Sequence, residues 1–205
     1  EPAAIFGHAL GAWVAITAAA RRPDKVCAVV LGAPALNTER WAELEGTEGR
    51  IGLYAAMRRL AASGLPVTEI VPALANLPIA VSETSEPIRY GDLPGVDGAR
   101  LRHRAKTISR LDPDVLKHLA EGRAAEFLRG IDLHAELAKI TCPVLLVEAD
   151  PAMGGALTDS DVNRAVALIP DGRFVKLAGV GHDLGLESWH VTPLLRSMTY
   201  FLESL

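Results

Sequence analysis

The sequence predicts an α/β domain, a mostly parallel sheet with helices on both faces, interrupted in mid-chain by a helical insertion. Three observations carry this reading. Short apolar runs alternate with helical segments at both ends of the chain. Those runs are apolar throughout instead of at every second residue, the pattern of strands buried on both faces. From residue 37 to residue 139 the alternation stops, and no run there suits the core of a sheet. The division expected is therefore a core formed by 1–36 and 140–205 and a helical cap formed by 37–139.

Taken in order, Ala3-Ala4-Ile5-Phe6 is the first strand run, and Gly7-His8-Ala9-Leu10-Gly11 is a turn flanked by glycines. Ala12 to Arg22 then reads as a helix that Pro23-Asp24 stops, and Val26 to Leu31 is a continuous apolar strand ending at Gly32-Ala33-Pro34. Inside the insertion, Trp41 to Ser63 and Asp112 to Ala138 are expected to be helical, with Asp112-Pro113 as cap and first turn. Between them Pro66, Pro72, Pro78, Pro87, Pro94 and several glycines predict a loop-rich, mobile stretch. The alternation resumes with a strand at Val144 to Ala149, closed by Asp150-Pro151. Met153-Gly154-Gly155 forms a loop, and Thr158-Asp159-Ser160-Asp161 opens a helix reaching Ile169. Arg173 to Leu177 is the last strand, followed by the loop Gly179-Val180-Gly181-His182 and a helix over 191–205.

Composition narrows the function classes. Of 205 residues 49% are hydrophobic and 22% charged, and the net charge of −4 argues against nucleic acid or an anionic membrane surface as a partner. The six Arg and Lys between Arg89 and Arg110 lie among almost no aromatics and read as a solvated helix face. No window approaches the roughly 18 uninterrupted apolar residues of a membrane span. Cys27 and Cys142 sit in or beside apolar runs, where buried free thiols are expected, in keeping with a reducing compartment such as the cytoplasm. His103, His118, His134 and His190 show no metal-ligand spacing, and no Gly-Lys-Ser/Thr follows Met153-Gly154-Gly155. No metal or other cofactor is implied.

The chemistry gathers at the carboxyl ends of three apolar strands, where open α/β sheets place their sites. These ends carry Gly7-His8-Ala9-Leu10-Gly11, then Asp150, then His182. An aspartate after a strand is by itself only a turn former, but the order turn, acid, histidine is specific. In GHALGAWVAI, CPVLLVEADP and GVGHDLGLE the chain resembles the α/β-hydrolase superfamily, over essentially its whole length. The resemblance implies an α/β-hydrolase fold with a lid, acting on an ester, lactone or related acyl bond of a small, fairly apolar substrate. It puts Ala9 at the nucleophile position, with Asp150 as the acid, His182 as the base and the backbone N–H of Leu10 as one oxyanion donor. Gly7 and Gly11 are expected to let strand and helix pack closely. His8 is expected to support the turn, Trp13 to pack in the core and Asp183 to face solvent. Glu148 competes for the acid role from within its strand, whereas helix capping accounts for Asp159 and Asp161. Trp41, Tyr54 and Met57 have near-helical spacing with Leu60 in the insertion, as candidates for substrate contact or for packing of the lid.

Two departures from the family pattern stand out. Ala9 has no hydroxyl, and loss of a triad nucleophile costs on the order of 10⁶ in turnover. Because Asp150 and His182 remain, the chain reads first as a serine-to-alanine inactivated form. A natural variant in which His182 activates water or substrate directly, and a non-catalytic ligand-binding or receptor protein, are the alternatives. The second departure concerns the sheet, for which only four strands can be counted, at 3–6, 26–31, 144–149 and 173–177. Bare apolar sheet edges are avoided in proteins, so an N-terminal portion of the same fold, roughly 70 to 100 residues, is expected to complete it, in the same or a separate chain. It would also supply the second oxyanion N–H.

Overall fold

The computed structural model describes every residue except 80–85, 94, 128, 156 and 188, so Pro94 of the mid-chain prolines lies outside the described residues. The chain separates into two compact units, Glu1–Asn37 with Gly130–Leu205, and Thr38–Arg129. In the first, β1 (Ala3–His8) turns sharply into α1 (Leu10–Arg21), and β2 (Val26–Gly32) follows. The second unit comprises α2 (Thr38–Glu45), α3 (Glu48–Ala62), α4 (Val67–Ala75), the short antiparallel pair β3 (Pro78–Ile79) and β4 (Ile88–Arg89), α5 (Gly98–Ile108), α6 (Lys117–Ala120) and α7 (Ala124–Phe127). The chain re-enters the first unit with α8 (Leu133–Leu137), then β5 (Val144–Ala149), α9 (Asp159–Leu168), β6 (Gly172–Leu177) and α10 (Thr192–Glu203).

The sheet of the first unit has the order β1-β2-β5-β6, and all its pairings are parallel. β2 and β5 occupy the centre and are buried almost throughout, as continuous apolar runs require. Alternate residues serve opposite faces. Ala28 and Val30 join Leu145, Val147, Leu194 and Phe201 in one cluster on the α10 side. Val29, Leu31 and Leu146, each no more than 1% exposed, fill the other face. Complete burial of such a side chain contributes about 1.5–3 kcal/mol. The edge strands keep Phe6 and Phe174 exposed. α1 packs on β1 and β2, α9 on β6, and α10 on β5 and β6.

Within the second unit Ile70 and Leu74 of α4 pack with Met57, Tyr90, Ala105 and Ile108. Here the structure corrects the sequence reading, because the stretch expected to be loop-rich contains α4 and α5. Pro66 starts a helix instead of breaking one: its extended backbone (φ −67°, ψ 154°) is the N-cap of α4, and its carbonyl accepts from the Glu69 and Ile70 N–H groups. Asp97 caps α5, accepting from the Arg100 N–H at 2.8 Å. Conversely, the helix expected over 112–138 is broken into short pieces at Gly122 and Gly130, whose φ values of 69° and 81° no right-handed helix can contain. α8 beyond that break belongs to the first unit and packs against α1. Cys27 is also not the buried thiol expected: it is exposed, and Cys142 is half-buried.

β1 and α1 approach so closely that a Cβ on Gly7 would lie against the Gly11 carbonyl oxygen and 2.8 Å from the Ala12 Cα. All of these are backbone atoms, which cannot swing aside. At Gly11 a Cβ would meet nothing within 4 Å, so the close packing expected of both glycines rests on Gly7 alone. Gly7→Ala is expected to destabilise the protein by about 2 kcal/mol or more. Gly11→Ala, in the first turn of a helix, should be neutral or stabilise it by up to about 1 kcal/mol. Denaturant midpoints of the two variants and the parent distinguish these outcomes.

Candidate active site

Three strand ends meet at one edge of the parallel sheet. At the end of β1, Ala9 has φ 51° and ψ −116°, a left-handed conformation rare for a residue with a Cβ. Its N–H donates to the Gly32 carbonyl at 2.9 Å, and its own carbonyl accepts from the Ala12 N–H at 3.1 Å. The corner is thus held from the neighbouring strand and from the helix it opens. Leu10 is the first residue of α1, where a backbone N–H has no acceptor within the helix and the helix end favours negative charge. Ala9 supplies no side-chain cap to these donors.

Asp150 follows β5 in a tightly wrapped turn. Its carbonyl accepts from the N–H groups of Met153 and Gly155 at 2.9 and 3.0 Å, and Gly154 between them adopts φ 87°. This geometry explains the adjacent glycines. A Cβ at Gly155 would also press on the backbone of Ala149. The Asp150 carboxylate accepts from two backbone N–H groups, Ala152 at 2.9 Å and Gly179 at 2.7 Å. Those two bonds, Gly179 first, hold its pKa below the usual aspartate range, with Lys176 a lesser contributor.

The loop after β6 carries His182. It is tied to the acid turn by the Gly179 bond and by the Asp150 N–H, which donates to the Val180 carbonyl at 2.8 Å. At its other end the imidazole Nε2 of His8 donates to the His182 carbonyl at 2.7 Å, and the two rings lie 5.2 Å apart, tilted by 47°. The loop therefore runs from β6, at one edge of the sheet, back to β1 at the other. Beyond it the chain turns inward on Leu184, which is fully buried with φ 51°.

Of the residues singled out in the sequence, Ala9, Leu10, Asp150 and His182 thus share one sheet edge of the first unit. Glu148, the rival acid, is 1% exposed within β5, and Lys176 on the adjacent strand approaches its Oε1 at 3.2 Å. Asp161 is part of the capping box of α9 with Thr158. Trp13 is buried and donates from its indole N–H to the Ala35 carbonyl at 2.9 Å. Trp41, Tyr54 and Met57 belong to the second unit. There Trp41 packs near Phe127, the Tyr54 hydroxyl donates to Glu45 at 2.7 Å, and Met57 joins the apolar cluster. Burial and the Glu45 carboxylate push the Tyr54 phenol well above its ordinary pKa. What the sequence did not disclose is that backbone N–H groups hold the acid. Gly179-Val180-Gly181 was the available signal, since Gly179 adopts φ 70° and a Cβ on Gly181 would lie 3.0 Å from the Met153 carbonyl oxygen. Among the described residues no group of three or more His, Cys, Asp or Glu is gathered tightly enough to hold a metal ion.

A family model described as the alpha/beta hydrolase family matches residues 1–193. The chain belongs to the alpha/beta hydrolase family. No curated protein sequence matches it. Among solved structures it is similar to a serine-to-alanine variant of an N-formylmaleamic acid deformylase from Pseudomonas putida S16, with 19% identity and a TM-score of 0.63 over 95% of this chain and 66% of that one. An E-2-(acetamidomethylene)succinate hydrolase is 25% identical with a TM-score of 0.61, over 98% and 67%. An enol-lactonase from Burkholderia xenovorans LB400 is 18% identical with a TM-score of 0.54, over 98% and 66%. The chain thus spans about two thirds of the length of each of these hydrolases.

The depressed pKa of Asp150 makes a stability prediction with a definite sign. A carboxyl that titrates lower in the folded state contributes stability above the unfolded pKa of about 3.9, and that contribution is lost as pH falls through the folded value. Asp150→Asn offers one acceptor oxygen in place of two, leaving the N–H of Ala152 or Gly179 against an amide NH₂. Thermal melts should show the variant below the parent at neutral pH, with the gap narrowing below about pH 4. A gap independent of pH would contradict the ionised role of this carboxylate.

Proposed function

We propose that this fold is built for hydrolysis of an ester, lactone or related acyl bond in a small substrate, and that with alanine at position 9 this form is inactive or nearly so. In this reading residue 9 is the nucleophile position, His182 the general base, Asp150 the acid that orients it and the Leu10 N–H one oxyanion donor. The observation that carries the reading is the backbone of Ala9. A positive φ in a residue with a Cβ costs about 1–3 kcal/mol, and such strain concentrates where a side chain must be presented to a ligand. Alanine gains nothing from that presentation, whereas a serine hydroxyl would. The bond from His8 to the His182 loop adds support, because it brings the candidate base to the same corner.

The chemistry follows from this arrangement. With a serine hydroxyl at position 9, His182 would take its proton as the oxygen attacks the substrate carbonyl. The tetrahedral oxyanion would meet the Leu10 N–H and the positive end of the α1 dipole. His182 would return the proton to the leaving group, and water would then release the acyl group by the same steps in reverse. Asp150, ionised and braced by two N–H groups, suits the task of stabilising the imidazolium. The alanine form lacks the first step. The deformylase and enol-lactonase among the structural relatives agree with acyl chemistry on small substrates.

The test is Ala9→Ser in the full protein, assayed on short-chain aryl esters. A gain on the order of 10³-fold or more is expected, with return to background on adding His182→Ala. Failure to gain, together with tight ligand binding by the parent, would favour a binding protein. Turnover by the alanine form that His182→Ala abolishes would favour direct activation of water by the histidine.

A further inference from the structure

Cys27 and Cys142 stand at matching positions at the amino ends of the two central strands, opposite the edge that carries Ala9, Asp150 and His182. Val29 pairs with Val144, and its N–H donates to the Pro143 carbonyl at 3.0 Å; each cysteine lies two residues before that pair. Pro143 has no N–H to donate, so the ladder ends there and leaves the backbone beside the cysteines unzipped. On the other flank β1 skips Cys27, because Ala3 faces Val26 while Ala4 faces Ala28. Cys27 is therefore the bulged residue of its strand, exposed between buried Val26 and buried Ala28. Cys142 is half-buried. Burial pushes its thiol pKa up, and Cys27 adds to the rise. At the Val29–Val144 pair, two residues from each cysteine, the strands run about 4.7–4.9 Å apart, inside the Cα separation of about 4.4–6.8 Å that disulfides span.

We propose that Cys27 and Cys142 are an oxidisable dithiol that a peroxide closes to a disulfide. Exposed Cys27 reacts first: its sulfur takes one oxygen from the peroxide, giving a sulfenic acid, and with hydrogen peroxide the product is water. The Cys142 thiol, a poor first nucleophile because of its raised pKa, then attacks the Cys27 sulfur and expels a second water. Two thiols lose two electrons and two protons, and one peroxide is reduced to two waters. The bond formed would enclose the whole of the second unit, Thr38–Arg129, within a covalent loop. It would staple together the two strands through which that unit is inserted, removing freedom from the unfolded chain.

Treatment of the full protein with hydrogen peroxide, quenched with catalase, tests this. The Cys27 and Cys142 thiols should be lost together, with an intact mass lower by about 2 Da per bridge. A non-reduced tryptic digest should link 26–40 to 140–164, and a reducing agent should undo the link. The oxidised protein should also melt at a higher temperature than the reduced one. Neither Cys27→Ser nor Cys142→Ser should form the linked peptide, and the exposure of Cys27 makes its substitution safe for folding. Persistence of both thiols, gain of oxygen mass without a link, or a link only between separate molecules would overturn the proposal. An unchanged melting temperature in the bridged protein would overturn the stapling role.

Discussion

A single loop must carry His182 from β6, at one edge of the sheet, to the neighbourhood of β1 at the other. The candidate site depends on how that span is held. Asp150 grips the near end through the Gly179 N–H and the Val180 carbonyl, and His8 grips the far end at the His182 carbonyl. Both grips use backbone groups of the loop. The Gly179 bond that braces the loop is also the main cause of the lowered pKa of the Asp150 carboxylate, so one contact serves geometry and charge together.

That arrangement needs a rigid platform, which the parallel sheet supplies. β2 and β5 are covered on both faces and registered residue for residue, and the Ala33 N–H extends their pairing to the Val147 carbonyl at 2.8 Å, close to the acid turn. The strain of about 1–3 kcal/mol at Ala9 persists because neighbours determine its backbone from both sides, through Gly32 and Ala12. Gly7 is the condition for this, because any larger residue would push α1 away from β1. The edge of the sheet that carries the candidate site is thus ordered by backbone hydrogen bonds and close backbone packing, and its opposite edge, near Cys27 and Cys142, is where the ladder is interrupted.

Strands were legible in the sequence for a physical reason. A strand buried on both faces must be apolar at every position, and VCAVVL and VLLVEA could hardly be anything else. The insertion was less legible because proline has two meanings. Pro66 and Pro72 suggested broken chain, yet Pro66 sits where a helix begins and Pro72 lies inside α4, which continues to Ala75. Asp97 and the spacing of Leu101, Ala105 and Ile108 did signal a helix, but glycines and prolines on either side concealed it. Gly122 and Gly130, which end the helix expected over 112–138, are left-handed here, and no local feature distinguished them from helical glycines.

The sequence by itself determined the four strands of the parallel sheet, the turn at Ala9 and the places of Asp150 and His182 after their strands, because each is written in local composition and spacing. Only the tertiary structure decided how the three come to one edge. The residues are separated by up to 173 positions of chain, from Ala9 to His182. Their meeting depends on sheet order and on hydrogen bonds between backbone groups that every residue possesses. Such bonds leave no trace in side-chain identity, and neither does the register that sets Val29 against Val144.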